Sequence, residues 1–362
     1  MKLFRCPSCS QTVFYENAEC ESCGAALAYD PGLQQMVQLD GRQPVCANRQ
    51  AGVCNWLVHH DESNTGLCQC CRLNRYVPDA SQPDNRSAWA ALEVAKRRLV
   101  YSLQRLQLPV VSKLNDEMSG LRFDFIDPSQ PLPIDAVGTT GHAGGLVTIN
   151  LDEADPVERV KAQESMEERY RTLLGHMRHE IGHYYWELLV QPDGDVLAAF
   201  RQLFGDESMD YQQALQNHYQ QGAPADWDQN FVSNYASSHP WEDWAESWAH
   251  YLHLCDTLET AFNYGLTIQP RDADAELHGS VAFDPYENPD FDAIVEGCLP
   301  VIYATNSLNR SMGQPDLYPF VLVPKVIEKL SFIHRLLWRQ RHQSPDSPES
   351  QDSSSVAAEL LP

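Results

Sequence analysis

Leu173-Leu174-Gly175-His176-Met177-Arg178-His179-Glu180-Ile181-Gly182-His183-Tyr184-Tyr185-Trp186 is the stretch on which the reading of this chain turns. On a helix, residues four apart share a face, so the imidazoles of His179 and His183 can reach one metal ion. Glu180 falls beside them, where a carboxylate can take a proton from a water that the ion activates. At about 100° per residue, Thr172, His176, His179, Glu180, His183 and Glu187 form one polar stripe. Leu173, Leu174, Met177, Ile181, Tyr184, Tyr185 and Leu188 fall on the opposite side. The expected helix packs by its apolar face and turns its histidines toward a cleft. His176 could line the same cleft, but is expected either to support the site from behind its ligands or to lie at the surface, because the pair already supplies two metal ligands.

A catalytic zinc takes a third protein ligand and keeps one position for water. Downstream stands His239-Pro240-Trp241-Glu242-Asp243-Trp244-Ala245-Glu246-Ser247-Trp248. Pro240 suits the first position of a helix. Glu242 and Glu246 then share a face, with Trp241, Trp244, Trp248 and Leu252 gathered on another. Glu242 is assigned as the third ligand. Glu246 is assigned as the acid that accepts the imidazole N–H of a ligand histidine and fixes its tautomer; the bland alternative is an exposed acid. Asp243 and His239 compete with Glu242 for the ligand role. Tyr235 lies seven residues before Glu242; its phenol is either a donor to a developing oxyanion or a packed loop tyrosine.

Nine of the eleven cysteines lie within the first 71 residues. Cys6-x-x-Cys9 and Cys20-x-x-Cys23 place four thiolates around one structural zinc, with Gly24 suited to the tight turn that follows. A second cluster comprises Cys46, Cys54, Cys68, Cys70 and Cys71, five thiols for four positions. Cys46, Cys54, Cys68 and Cys71 are taken as the second zinc site. Cys70 is left over, and His59 or His60 could replace one thiolate. Both modules are too small to bury a core unaided, so metal supplies folding energy. Cys255 and Cys298 read as inert core thiols.

Across 362 residues the hydrophobic share is 43%, enough for one sizeable core plus small modules. The fold class expected is α+β: a mainly helical core with a small edge sheet, preceded by two cysteine-rich modules. Strands are expected at Leu121–Ile126, by alternation, and at Gly145–Leu151. One helical run is expected from Pro156 through Val190, with further helices near 196–204, 209–220, 240–262, 290–310 and 319–340. The domains divide as 1–30, the first zinc ribbon; 40–78, the second module; 79–87, a linker; 88–342, the peptidase-like domain; and 343–362, a disordered acidic tail.

The formal net charge is −24, from 26 Lys and Arg against 50 Asp and Glu. Such a field disfavours nucleic acid and anionic membranes and favours neutral or basic partners. Met1-Lys2-Leu3-Phe4-Arg5 runs into the first cysteine pair with no apolar signal core, and clustered thiols suit a reducing compartment. A cytoplasmic location is expected. Oligomeric state is not legible.

Taken together, the paired histidines and the helical Glu242 resemble the gluzincin metallopeptidases. The spacing of Tyr235, Glu242 and Glu246 is similar to that in the toxin lethal factors of that group. The whole chain resembles the bacterial zinc-binding metallopeptidases that carry an N-terminal zinc ribbon. That likeness rests on Cys6 to Cys9, Cys20 to Cys23, Cys68 to Asn74, Gly145 to Leu151, Arg171 to Trp186 and Trp241 to His250. It implies a zincin-like core, one catalytic and two structural zinc ions, Gly145–Leu151 as the sheet edge that docks extended substrate, and hydrolysis of a peptide or protein substrate with Glu180 as general base. Two departures stand out: Cys70 is additional to the family's single pair, and the long gap from His183 to Glu242 implies an inserted helical subdomain near 193–230. The rival reading is a catalytically inactive zincin-like protein that binds partners through its zinc modules.

Overall fold

The computed structural model describes residues 2–59, 65–131, 140–166, 172–271 and 277–342, together with Leu360. The architecture is α+β and mainly helical, with cysteine-rich modules ahead of the helical core. His60, Arg171 and the expected disordered tail, apart from Leu360, lie outside the described residues.

The first module is a two-stranded hairpin, β1 (Phe4–Arg5) and β2 (Thr12–Val13), followed by the hairpin β3 (Leu27–Asp30) and β4 (Gln35–Gln38). Gly24 has φ 70°, the left-handed conformation that glycine adopts without steric cost and that the tight turn after Cys23 requires. Tyr29 on β3 exchanges backbone hydrogen bonds with Asn55 and Leu57, so this hairpin also seats the chain of the second cysteine cluster. Tyr15, Tyr29, Trp56 and Tyr101 then pack as one aromatic group, with Tyr15 and Tyr101 ring centroids 5.5 Å apart. Tyr101 belongs to α1 (Pro83–Arg105), so burial of aromatic surface joins the modules to the helical core.

Helix α1 begins at Pro83, inside the expected linker of 79–87. Pro83 fits the first turn, where no N–H is needed, and Asp84 favours the helix N-terminus, so the Pro/Asp/Asn composition of 79–87 starts a helix there.

The central sheet has the order β5 (Asn74–Tyr76), β6 (Arg122–Ile126), β8 (Leu146–Asn150) and β7 (Gly141–Ala143). The first three are parallel, and β7 is antiparallel to β8. Two expectations change here. Strand β6 alternates in sequence, yet Asp124 is as buried as Phe123 and Phe125, because Arg75 on β5 pairs with its carboxylate. Strand β8 is not the sheet edge: Gly141, His142 and Ala143 pair with Thr148, Val147 and Leu146, and β7 forms the edge.

The helical run expected from 156 to 190 is two helices, α2 (Pro156–Met166) and α3 (Leu173–Leu189). Thr172 stops any merger. It is extended, and its hydroxyl accepts from the Gly175 N–H at 2.9 Å, an N-cap in which the side chain satisfies an orphan donor of the first turn. Helices α4 (Gly194–Phe204), α5 (Tyr211–Gln221), α6 (Pro240–Tyr264), α7 (Phe291–Ser311) and α8 (Pro324–His342) follow, with a short pair β9 (Thr267–Ile268) and β10 (Gly279–Ser280) between α6 and α7. Among the described residues no helix is long and apolar enough to cross a membrane.

Helices α3 and α6 form the centre of the molecule, and their closeness has a local cause. A Cβ on Gly182 would sit 3.0 Å from the Ala245 Cα and 3.2 Å from Trp248. Only a residue without a side chain lets the helices approach this far. Trp244 donates its indole N–H to the Gly182 carbonyl at 2.8 Å, tying the crossing point.

Candidate metal centre

Position along two helices places the donors. Gly182 and Ala245 mark the crossing; His179 and His183 lie on either side of Gly182 along α3, and Glu242 lies one turn before Ala245 on α6. One ligand atom each from His179, His183 and Glu242 falls within 4.8 Å of the others, and all three residues are buried. Glu242 Oε2 comes 3.0 Å from His179 Nε2, and Glu242 Oε1 comes 3.6 Å from His183 Nε2. Glu242 Oε2 is fully buried without the alignment of a hydrogen bond to any described group. A buried carboxylate oxygen that faces an imidazole nitrogen without an aligned hydrogen bond is costly unless a cation meets it. Two imidazole nitrogens and one carboxylate oxygen make a donor set suited to zinc.

The electrostatics agree. Burial pulls the His179 imidazole toward neutrality, but the Glu242 and Glu246 carboxylates beside it outweigh that and hold its pKa well above the ordinary value. Burial pushes Glu242 up, and the neighbouring His183 and His179 outweigh that in the other direction. The pocket therefore stabilises positive charge, as a site for a divalent cation must.

Glu246 lies where the four-residue spacing implied. Its Oε1 is 2.7 Å from His179 Nδ1, and its Oε2 accepts from the Ser233 hydroxyl at 2.6 Å. His183 has no such acceptor: its Nδ1 is buried without a hydrogen-bond partner among the described residues, and the Trp241 ring packs on it with centroids 4.1 Å apart. Tyr235 occupies a 3₁₀ turn (Tyr235–Ser238), its ring centroid 5.9 Å from that of His179. Burial first, then the charge of Glu242, pushes its phenol pKa far up, so it stays a neutral donor.

The two competing ligands have other duties. His239 is the N-cap of α6: its Nδ1 accepts from the Trp241 N–H at 3.1 Å, and its Nε2 donates to the Met209 carbonyl at 3.3 Å. Asp243 points away, into a buried ion pair with Lys329 at 2.6 Å.

The paired histidines of the polar stripe are buried among the described residues. His179, Glu180 and His183 are each under a tenth exposed, with Glu242 of α6 against both imidazoles. Of the two places expected for His176, the structure gives the supporting one, against Glu180. Its Nδ1 meets Glu153 Oε2 at 2.5 Å and its Nε2 meets Glu180 Oε1 at 3.0 Å. Burial opposes protonation of His176, yet the Glu153 and Glu180 carboxylates raise it to about 9. Burial likewise pushes Glu180 up, but His176 and the two flanking imidazoles hold it down at about 2.

Sequence reasoning missed Tyr211. Its hydroxyl donates to Glu242 Oε1 at 2.6 Å from the first turn of α5, in the insertion expected near 193–230. It also missed Ser233, Glu153 and the edge residue His142. The His142 ring stacks 6.2 Å from His183, and its Nε2 accepts from the Gly145 N–H at 2.9 Å.

Two further groups of convergent donors lie in the N-terminal modules: Cys6, Cys9, Cys20 and Cys23, and Cys46, Cys54, Cys68 and Cys71. Cys70 is fully buried outside the second group. His59 also stays outside it. Its Nε2 accepts from the Gly32 N–H at 3.2 Å beside Asp30, which takes the ring to the β3–β4 turn. Cys255 and Cys298 are buried core thiols, the latter facing the Leu254 carbonyl.

Residues 85–336 match the family described as "Putative zinc-binding metallo-peptidase", and residues 3–82 match a zinc-ribbon domain. The chain belongs to that metallopeptidase family. A protein of Mycobacterium bovis and its counterparts in two strains of Mycobacterium tuberculosis, all described as uncharacterized, are each 42% identical over 339 residues. The match covers 93% of this chain and 95% of each relative. No solved structure matches.

Proposed function

We propose that the protein is a zinc-dependent peptidase whose catalytic ion is held by His179, His183 and Glu242. The observation that carries this reading is the buried Glu242 carboxylate set against two imidazole nitrogens, one ligand atom of each residue lying within 4.8 Å of the others. A zinc ion there supplies Lewis acidity toward the scissile carbonyl and toward water. Glu180 is the general base: it takes the proton of the attacking water and passes it to the leaving amine. The His176 contact at 3.0 Å fixes the direction of the Glu180 carboxylate. Tyr235, kept neutral, donates to the developing oxyanion. Glu246 sets the His179 tautomer so that Nε2 carries the free lone pair.

The antiparallel edge strand β7 replaces Gly145–Leu151 as the docking strand, and an extended peptide adds to it as a further strand. The two four-cysteine groups hold structural zinc, giving three ions per chain. The net charge of −24 favours neutral or basic peptide substrates over nucleic acid or anionic membranes, and the thiolate sites suit the cytoplasm. Retention of Glu180 beside the paired histidines favours an active enzyme over a partner-binding relic. The test is cleavage of a peptide library by wild type and Glu180→Gln. The reading expects cleavage only by wild type, with metal content equal in both. A variant that holds its metal and cleaves as fast as wild type overturns Glu180 as the base.

A further inference from the structure

We infer that Tyr211 is a positioning residue that occupies Glu242 Oε1 and so leaves Oε2 as the atom offered to the metal. The inference rests on reading His179, His183 and Glu242 as the metal site. Its direct support is the 2.6 Å hydrogen bond from the Tyr211 hydroxyl to Oε1, while Oε2 turns to the paired histidines, 3.0 Å from His179 Nε2. A carboxylate whose two oxygens are both free can swing or chelate through both. One held by a phenol at a single oxygen presents the other in a fixed direction.

The phenol is itself held. Asp210 caps α5, its carboxylate accepting from the Gln213 N–H at 3.0 Å. Met209 is tied to α6 because its carbonyl accepts from His239 Nε2, the same imidazole whose Nδ1 caps α6. One histidine thus registers the start of α5 against the start of α6, three residues before Glu242. The Tyr211 ring packs edge-on against His239 and Trp241, with centroids 5.2 and 5.9 Å away. Helix α5 has no fully buried residue, so its placement depends on these end contacts more than on a packed face.

The test uses the full-length chain with zinc retained at the cysteine sites, the third site emptied by a mild chelator and refilled with Co²⁺ or Zn²⁺. Tyr211→Phe keeps the ring and removes the hydroxyl. The expected result is metal affinity at the third site weaker by about 10- to 100-fold, the usual cost of losing an outer partner of a ligand. The cobalt d–d absorption should shift in position and intensity, since a freed carboxylate changes the coordination. Circular dichroism and thermal melting of the metal-depleted protein should stay near wild type, which separates positioning from a folding role. Unchanged affinity with an unchanged cobalt spectrum overturns the proposal. A lowered melting temperature with unchanged affinity also overturns it, by reducing Tyr211 to packing. A wild-type chain that takes no third metal sinks the underlying site reading instead, so the two failures are distinguishable.

Discussion

The Glu246 carboxylate bridges two elements: its Oε1 lies 2.7 Å from His179 Nδ1, and its Oε2 accepts from Ser233 at 2.6 Å. The loop that carries Ser233 leads directly to Tyr235, so one acid orients a metal-site histidine and anchors the segment beside it. Glu246→Gln should therefore weaken metal binding at this site by about 10- to 100-fold while the helical signal persists. Competition with a chelator reads the affinity, and equal affinity in variant and wild type would remove Glu246 from the site.

Cys70 and Cys71 are neighbours with different expected consequences. Cys71 belongs to the convergent group with Cys46, Cys54 and Cys68, whereas Cys70 is buried outside it. Cys70→Ala should keep both structural zinc ions and cost about 1 kcal/mol for a small buried vacancy. Cys68→Ser should lose one ion and much of the modules' stability, because metal binding there is folding energy. Zinc content and melting temperature of the two variants check this; zinc loss in Cys70→Ala would reassign the ligands.

Acid should destabilise the fold through buried neutral histidines. Burial holds His250 at about 4 and His253 well below the ordinary imidazole value. The folded pKa is depressed, so above pH 6.5 both states are neutral at His250 and no penalty exists. As pH falls from 6.5 toward 4, the unfolded chain takes up a proton that the folded chain refuses. For His250 alone this amounts to about 3 kcal/mol by pH 4, from a shift of 6.5 to about 4. Denaturant titrations across this range should give a shallower pH dependence for His250→Gln than for wild type. Parallel curves would show that His250 does not contribute.

Much of this centre was legible because it depends on helical period. Once His179 and His183 share a face and Glu242 and Glu246 share another, only the crossing of two helices remains to be supplied, and Gly182 is its local mark. The cysteine groups were legible for the same reason: short spacings restrict geometry. Tyr211 was not, because its contact with Glu242 joins an inserted helix to α6 with no shared period, and nothing around a lone tyrosine announces it. The edge strand Gly141–Ala143 escaped because a three-residue, glycine-led segment has no room for alternation. His239 was misplaced among possible ligands because a histidine that caps a helix looks, in sequence, like one that binds metal.

The most direct measurement is a crystal structure with anomalous diffraction collected across the zinc absorption edge. The account predicts three zinc peaks per chain, two within the cysteine groups and one bonded to His179 Nε2, His183 Nε2 and Glu242. Two peaks only, with the Glu242 carboxylate turned away from the paired imidazoles, would contradict it.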